Sequence, residues 1–185
     1  FCIFTTILNA REIGQTEITT EEGIEVYQKE KYYLLKKNVE IKSDNFNLKA
    51  DLVKASFDKD LYDITNIYAE GNVSLESNKE IKAIGNKINF NVKNENIHIE
   101  GKKSYLKNQT IIMKSDKLIE VNNVSGKFKL SGFNSEITTP SLLIVGTKIE
   151  GNYINKNILY IHKWGSVSDL CYYRSVLNQE NYNYY

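Results

Sequence analysis

Residues 70–101 alternate apolar and polar side chains with period two, block after block. The blocks are Gly71-Asn72-Val73-Ser74-Leu75, Ala83-Ile84-Gly85-Asn86-Lys87-Ile88-Asn89-Phe90-Asn91-Val92 and Ile97-His98-Ile99-Glu100-Gly101. Successive side chains of a strand point to opposite faces, so the pattern makes one dry face and one wet face. Glycine at the joints lets the backbone kink or bulge. The blocks recur too closely for helices to fit between them. A repeating antiparallel β architecture follows.

The same signature runs through most of the chain. Strands are expected at Ile24–Tyr27, Tyr32–Leu35, Asn38–Ile41, Phe46–Asp51, Ile64–Leu75, Ile81–Val92 and Ile97–Glu100. Later ones fall at Ile111–Lys114, Leu118–Val121, Lys127–Leu130, Leu142–Val145 and Tyr153–Ile161. Polar turns separate them, as at Ser43-Asp44-Asn45, Asp58-Lys59-Asp60, Ser77-Asn78-Lys79-Glu80 and Asn94-Glu95-Asn96. The single proline, Pro140, belongs at a strand start or sheet edge because it cannot donate to a ladder. Short strands with little loop between them favour an elongated roll of stacked rungs, although a compact sandwich has a similar strand count. The expected organisation is a residual signal peptide at 1–10, a linker at 11–22, the β domain at 23–162 and a poorly ordered C-terminal tail at 163–185. A short helix is expected within that tail at Ser166–Leu177, the remainder docking loosely.

Composition narrows the function. With 24 basic and 23 acidic residues the net charge is +1, which gives no electrostatic case for nucleic acid or an anionic membrane. Only Arg11 and Arg174 could read phosphate in bidentate fashion. Cys2 and Cys171 lie near opposite ends; they can form a disulfide, but their spacing fits neither metal nor redox motifs. Phe1 to Ala10 reads as the tail of an apolar export signal ending in a small residue. A buried first strand or the end of a membrane anchor would look alike.

Catalytic signals are missing. His98 alternates with isoleucines and faces solvent, and His162 closes a strand beside Lys163. Asp51, Asp58, Asp60 and Asp63 read as solvated charge around a turn. No phosphate loop or nucleophile elbow occurs. The expectation is a non-enzymatic protein without cofactor or metal.

What stands out is apolar area on one side of the strands. Val39, Ile41, Phe46, Leu48, Val73, Leu75, Ile84, Ile88, Phe90, Val92, Ile97, Ile99, Ile111, Met113, Phe128, Leu130, Leu142 and Ile144 fall at i, i+2 spacing. They make either a sealed core or an apolar trough that holds aliphatic chains, and alternation alone fits both. Thirteen tyrosines leave a carbohydrate-binding surface as a weaker alternative.

Several segments resemble the OstA-like periplasmic domain of the LptA family. They are Gly23-Ile24-Glu25-Val26, Tyr33 to Ile41, Leu48-Lys49-Ala50-Asp51-Leu52-Val53, Ile67-Tyr68-Ala69-Glu70-Gly71-Asn72-Val73 and Met113-Lys114-Ser115-Asp116-Lys117-Leu118. The likeness covers about residues 20–151 and rests on a rhythm of strand, "AD" and "GNV" elements. The resemblance implies a slightly open antiparallel β-jellyroll in the periplasm that binds the lipid A chains of lipopolysaccharide in its interior. It implies no catalysis. It also implies head-to-tail assembly and edge pairing with an inner-membrane LptC-like and an outer-membrane LptD-like jellyroll. The edges would be Ile24 and Val26 at one end, and Ile149, Ile154 and Ile158 at the other. A membrane-anchored LptC-like component of the same machinery, or a structural β-repeat protein without ligand, are the alternatives.

Overall fold

The computed structural model describes residues 16–162, except 45, 60, 62, 78–79 and 155–156, together with Arg174–Ser175. The signal-peptide reading of residues 1–10 lies outside them. Every element among the described residues is a strand. In chain order they begin with β1 (Glu17–Thr19), β2 (Ile24–Tyr27), β3 (Tyr32–Lys42), β4 (Phe46–Phe57) and β5 (Ile64–Ser77). Next come β6 (Lys82–Asn91), β7 (Asn96–Glu100), β8 (Ser104–Lys107), β9 (Ile112–Ser115) and β10 (Leu118–Asn122). The series ends with β11 (Lys127–Thr138), β12 (Leu142–Asn152), β13 (Asn157–His162) and β14 (Arg174–Ser175).

The long strands are creased near their middles. Register shifts fall between Lys36 and Val39 in β3, Lys49 and Leu52 in β4, Glu70 and Val73 in β5, and Ser131 and Ser135 in β11. Left-handed backbone clusters at the same places: Lys37 and Asn38 (φ 59° and 48°), Gly71 and Asn72 (φ 80° and 48°) and Gly132 (φ 154°). Each bulge strengthens the local bend of its strand. Side chains lock it. The Asp51 carboxylate lies where a Cβ on Gly71 would be, and Asn72 Nδ2 donates to Asp51 Oδ2 at 3.1 Å. Asp116 covers Gly132 in the same way, and Asn134 Nδ2 donates to its Oδ2 at 3.3 Å. The "AD" and "GNV" rhythm of the sequence is therefore the crease itself, an aspartate on one strand packed over a glycine on another.

The crease divides the ribbon into two leaves. The second half of β6 pairs with β7, which leads through β10 to the first half of β11. The first half of β6 pairs with β8, which leads through β9 to the second half of β11. Likewise β2 adds to the start of β3 and β1 to its end. The dry faces of both leaves meet in one core: Leu35, Val53, Ile88, Ile99 and Leu130 from the first leaf, Val39, Leu48, Val73, Met113 and Ile144 from the second. The fold is an all-β, slightly open antiparallel jellyroll.

Several expectations change in detail. Tyr32–Leu35 and Asn38–Ile41 are one creased strand, not two. β1 forms within the segment expected as a linker, where three residues are too few to show a period. β8 carries only Ser104 and Leu106 inward, too weak an alternation to stand out. Arg174 and Ser175 pair with Leu143 and Leu142 as strand, where a helix was expected over 166–177; the rest of that helix lies outside the described residues.

Candidate functional site

Between the leaves lies an apolar cavity of about 380 Å³. Ile67, Ala69, Ile88, Phe90 and Ile97 of the first leaf line it, with Phe46, Leu48 and Leu75 of the second. Its rim consists of turn and strand-end residues: Val92, Glu95 and Asn123 on one side, Ser77 and Ile81 on the other. Those turns sit at the strand ends farthest from the crease, so the cavity opens along the free side of the folded ribbon. The floor is dry. Leu48, Ala69, Ile88 and Ile97 are all buried, whereas Val92 at the rim is 38% exposed.

The sequence-derived trough residues divide three ways. Phe46, Leu48, Leu75, Ile88, Phe90, Val92 and Ile97 line the cavity. Val39, Ile41, Val73, Ile99, Ile111, Met113, Phe128, Leu130 and Ile144 are buried in the packed core, with Leu142 half-buried against them. Ile84 is on the outer face, 37% exposed, and is a correction. Ala83 and Gly85 point inward before the crease of β6, Ile88 and Phe90 after it. Opposite the bulge that β5 carries between Glu70 and Val73 the alternation of β6 changes phase, so Ile84 and Ile88 face opposite ways despite their even spacing. Ile67, Ala69 and Ile81 are lining residues that the apolar list omitted. Continuing the alternation of Val73 back along β5, across its crease, would have found Ile67 and Ala69.

The outer face is charged and paired. Lys49 meets Glu40 at 3.0 Å, Lys87 meets Glu70 at 3.2 Å and Lys114 meets Glu136 at 2.8 Å. The Tyr68 hydroxyl, then Lys87, hold the Glu70 carboxyl below its ordinary value, and the Glu70 carboxylate raises the Tyr68 hydroxyl in turn. His98 sits on this face between Glu100 (2.7 Å) and Glu120 (3.2 Å). A second concavity of about 560 Å³ lies here too, bordered by His98, Glu120, Asn122, Lys127 and Lys129. It is larger than the apolar opening, and its wall mixes those polar side chains with Ile97, Val121 and Phe128. Among the described residues no three His, Cys, Asp or Glu are placed to hold a metal ion, and no helix is long and apolar enough to cross a membrane.

The two ends of the ribbon differ. Ile24 and Val26 lie on β2, each 48% exposed, on a strand that pairs with β3 among the described residues. Ile149 is a second correction: it is fully buried on a strand that sits between β11 and β13. β13, which carries Ile158, folds back over β12 and takes the edge position. Ile154 is exposed in the turn that precedes it.

A family model described as "LptA/(LptD N-terminal domain) LPS transport protein" matches residues 17–127, more than half of the chain and every residue that lines the cavity. The chain belongs to this family. Members of this lipopolysaccharide-transport family are transport components, in keeping with a site built of apolar side chains. Among solved structures, the chain is similar to the crystal structure of LptH, the LptA homologous periplasmic component of the conserved lipopolysaccharide transport device from Pseudomonas aeruginosa. Identity is 12% and the TM-score 0.45, over 90% of this chain and 96% of that one. Among curated proteins there is no significant match.

Proposed function

We propose that this protein is a periplasmic carrier that holds the lipid A acyl chains of lipopolysaccharide between its leaves and passes them from an inner-membrane LptC-like jellyroll to an outer-membrane LptD-like one. The observation that supports this reading is the apolar cavity on the free side of the fold, in a chain of the lipopolysaccharide-transport family. Its volume of about 380 Å³ falls within the ~300–1,000 Å³ usual for ligand sites. Magnitudes favour a ligand with several chains. Burying about ten methylenes at ~0.8 kcal/mol each gives about 8 kcal/mol. Association itself costs about 4–15 kcal/mol, so a single fatty chain would bind weakly and a multi-acylated glycolipid well. Accommodating more than one chain requires the leaves to part, and the opening opposite the crease is where they can. The exposed β2 edge supports docking by strand addition, and head-to-tail copies would use β2 of one chain and the C-terminal edge of the next.

Photo-crosslinking tests the reading. A crosslinking residue at Phe90 or Leu75 should capture lipopolysaccharide, while the same residue at Asn89 or Ile84 on the outer face should not. Equal labelling from both faces, or none from Phe90, would favour a sealed structural β protein without ligand. Crosslinkers at Ile24 and Val26 should separately trap a jellyroll partner.

A further inference from the structure

The outer concavity of about 560 Å³ lies back to back with the apolar cavity, and Ile97 of β7 borders both. Between them runs a lip made of the turns that follow β6 and β10. Asn122 Nδ2 donates to the Asn94 carbonyl at 3.0 Å and to Asn96 Oδ1 at 2.6 Å, and the Asn123 N–H donates to the Glu95 carbonyl at 3.1 Å. The two turns are thus tied together. Glu95 and Asn123 border the cavity side of the lip, Asn96 and Asn122 its outer side.

The outer concavity is a groove that crosses four strands. Its middle row pairs Ile97 with Val121, Val121 with Phe128 and Phe128 with Gly151. Ile97, Val121 and Phe128 are buried in the core, so the floor on this face is backbone. One bank is the row His98, Glu120, Lys129 and Glu150; the other holds Asn96, Asn122 and Lys127. Strand spacing places a polar side chain about every 4.8 Å along a bank. That interval is close to the repeat of sugar rings in an extended glycan. Amide, carboxylate, imidazole and ammonium groups together supply the donors and acceptors that sugar hydroxyls take. The charges of the lining cancel, two lysines against two glutamates, which favours uncharged hydroxyls over a phosphate group.

We propose that this groove binds the glycan of the glycolipid cargo: with the acyl chains between the leaves, the sugars fold over the lip and lie across β7, β10, β11 and β12. The inference rests on the carrier reading for the source of the sugar, not for the groove itself.

The test compares the affinity of the full chain for lipopolysaccharide that carries its core sugars with that for lipid A alone. The parent chain should prefer the former by about tenfold or more, the factor that one or two hydrogen bonds to charged groups supply. Glu120→Ala with Lys127→Ala should abolish the preference and leave the affinity for lipid A unchanged. Glu40→Ala with Lys49→Ala, a pair on the outer face away from the groove, should keep it. A second measurement needs no lipid. Core oligosaccharide cleaved from lipid A should shift the amide resonances of residues 96–98, 120–122 and 127–129, and inorganic phosphate should not. That probe has no acyl chains, so it reads the groove even if Phe90 captures nothing and the carrier reading fails. Equal affinity of the parent chain for the two lipids would overturn the proposal. So would phosphate shifting the same resonances, or a cell-wall glycan binding where the core sugars do not.

Discussion

Replacing Gly71 by alanine should destabilise the fold by far more than the same change at Gly23. The two glycines have nearly the same backbone, φ +80° and +81°. A Cβ in the left-handed region costs about 1–2 kcal/mol at either site. The entropy that alanine removes from the unfolded chain is also the same, so it cancels in the comparison. Their surroundings differ. A Cβ at Gly23 meets nothing within 4 Å, whereas at Gly71 it would lie 2.2 Å from Asp51 Oδ2 and 2.7 Å from Asp51 Cβ. The contact at Cβ cannot be relieved by rotating the carboxylate, so strand β4 or the crease must shift. Overpacking of this kind adds about 1–3 kcal/mol. Gly23→Ala should therefore cost about 1 kcal/mol and Gly71→Ala about 2–4 kcal/mol, read from urea midpoints at constant slope. Asp51→Ala alone removes an exposed hydrogen bond to Asn72 and should cost under about 1 kcal/mol. Combined with Gly71→Ala it should recover part of the loss, a coupling that a double-mutant cycle reads directly. Equal costs at Gly23 and Gly71, or strictly additive effects of the pair, would mean that the aspartate does not brace the crease.

The phase flip in β6 predicts opposite outcomes two turns of the pleat apart. Ile88→Asp buries an unpaired carboxylate and should abolish cooperative folding, while Ile84→Asp should change stability by no more than about 0.5 kcal/mol; thermal unfolding distinguishes them. Acid should weaken the fold gently. Lys36, Lys49, Lys93 and Lys82 hold Glu25, Glu40, Asp58 and Glu76 below their ordinary values, as Tyr68 and Lys87 hold Glu70. Carboxyls with lowered folded values keep their contribution above the ordinary glutamate value of 4.5 and lose it as pH falls through the folded values. Lys36, Lys82, Lys87 and Lys114, raised by their glutamates (Lys87 also by Tyr68), lose theirs only as pH climbs past 10.5. All these groups lie on the outer face and reach solvent, so the acid loss should shrink in high salt. A urea midpoint that rises between pH 4.5 and 3 would contradict the assigned pairs.

Much of this molecule was legible in the alternation. The period of two in Ile97-His98-Ile99 and Lys127-Phe128-Lys129-Leu130 reaches the structure unchanged, with Ile97, Ile99, Phe128 and Leu130 inside. These stretches lie within one leaf, where each side chain's direction depends only on its neighbours along the strand. The recurring Ala50-Asp51 and Gly71-Asn72 elements were visible too, as a rhythm without a stated cause.

Side-chain direction across the crease was not legible. Whether Ile84 or Gly85 faces inward depends on where the alternation of β6 changes phase, and that is set by pairing with β5, β7 and β8, not by β6 itself. The same holds for Ile149, whose place on an inner strand and not at the edge follows from β13 pairing with β12. Local sequence thus dictated strands with a dry side. Which dry residues pack against one another and which border an opening was decided by how the two leaves close, because that closure joins segments far apart along the chain.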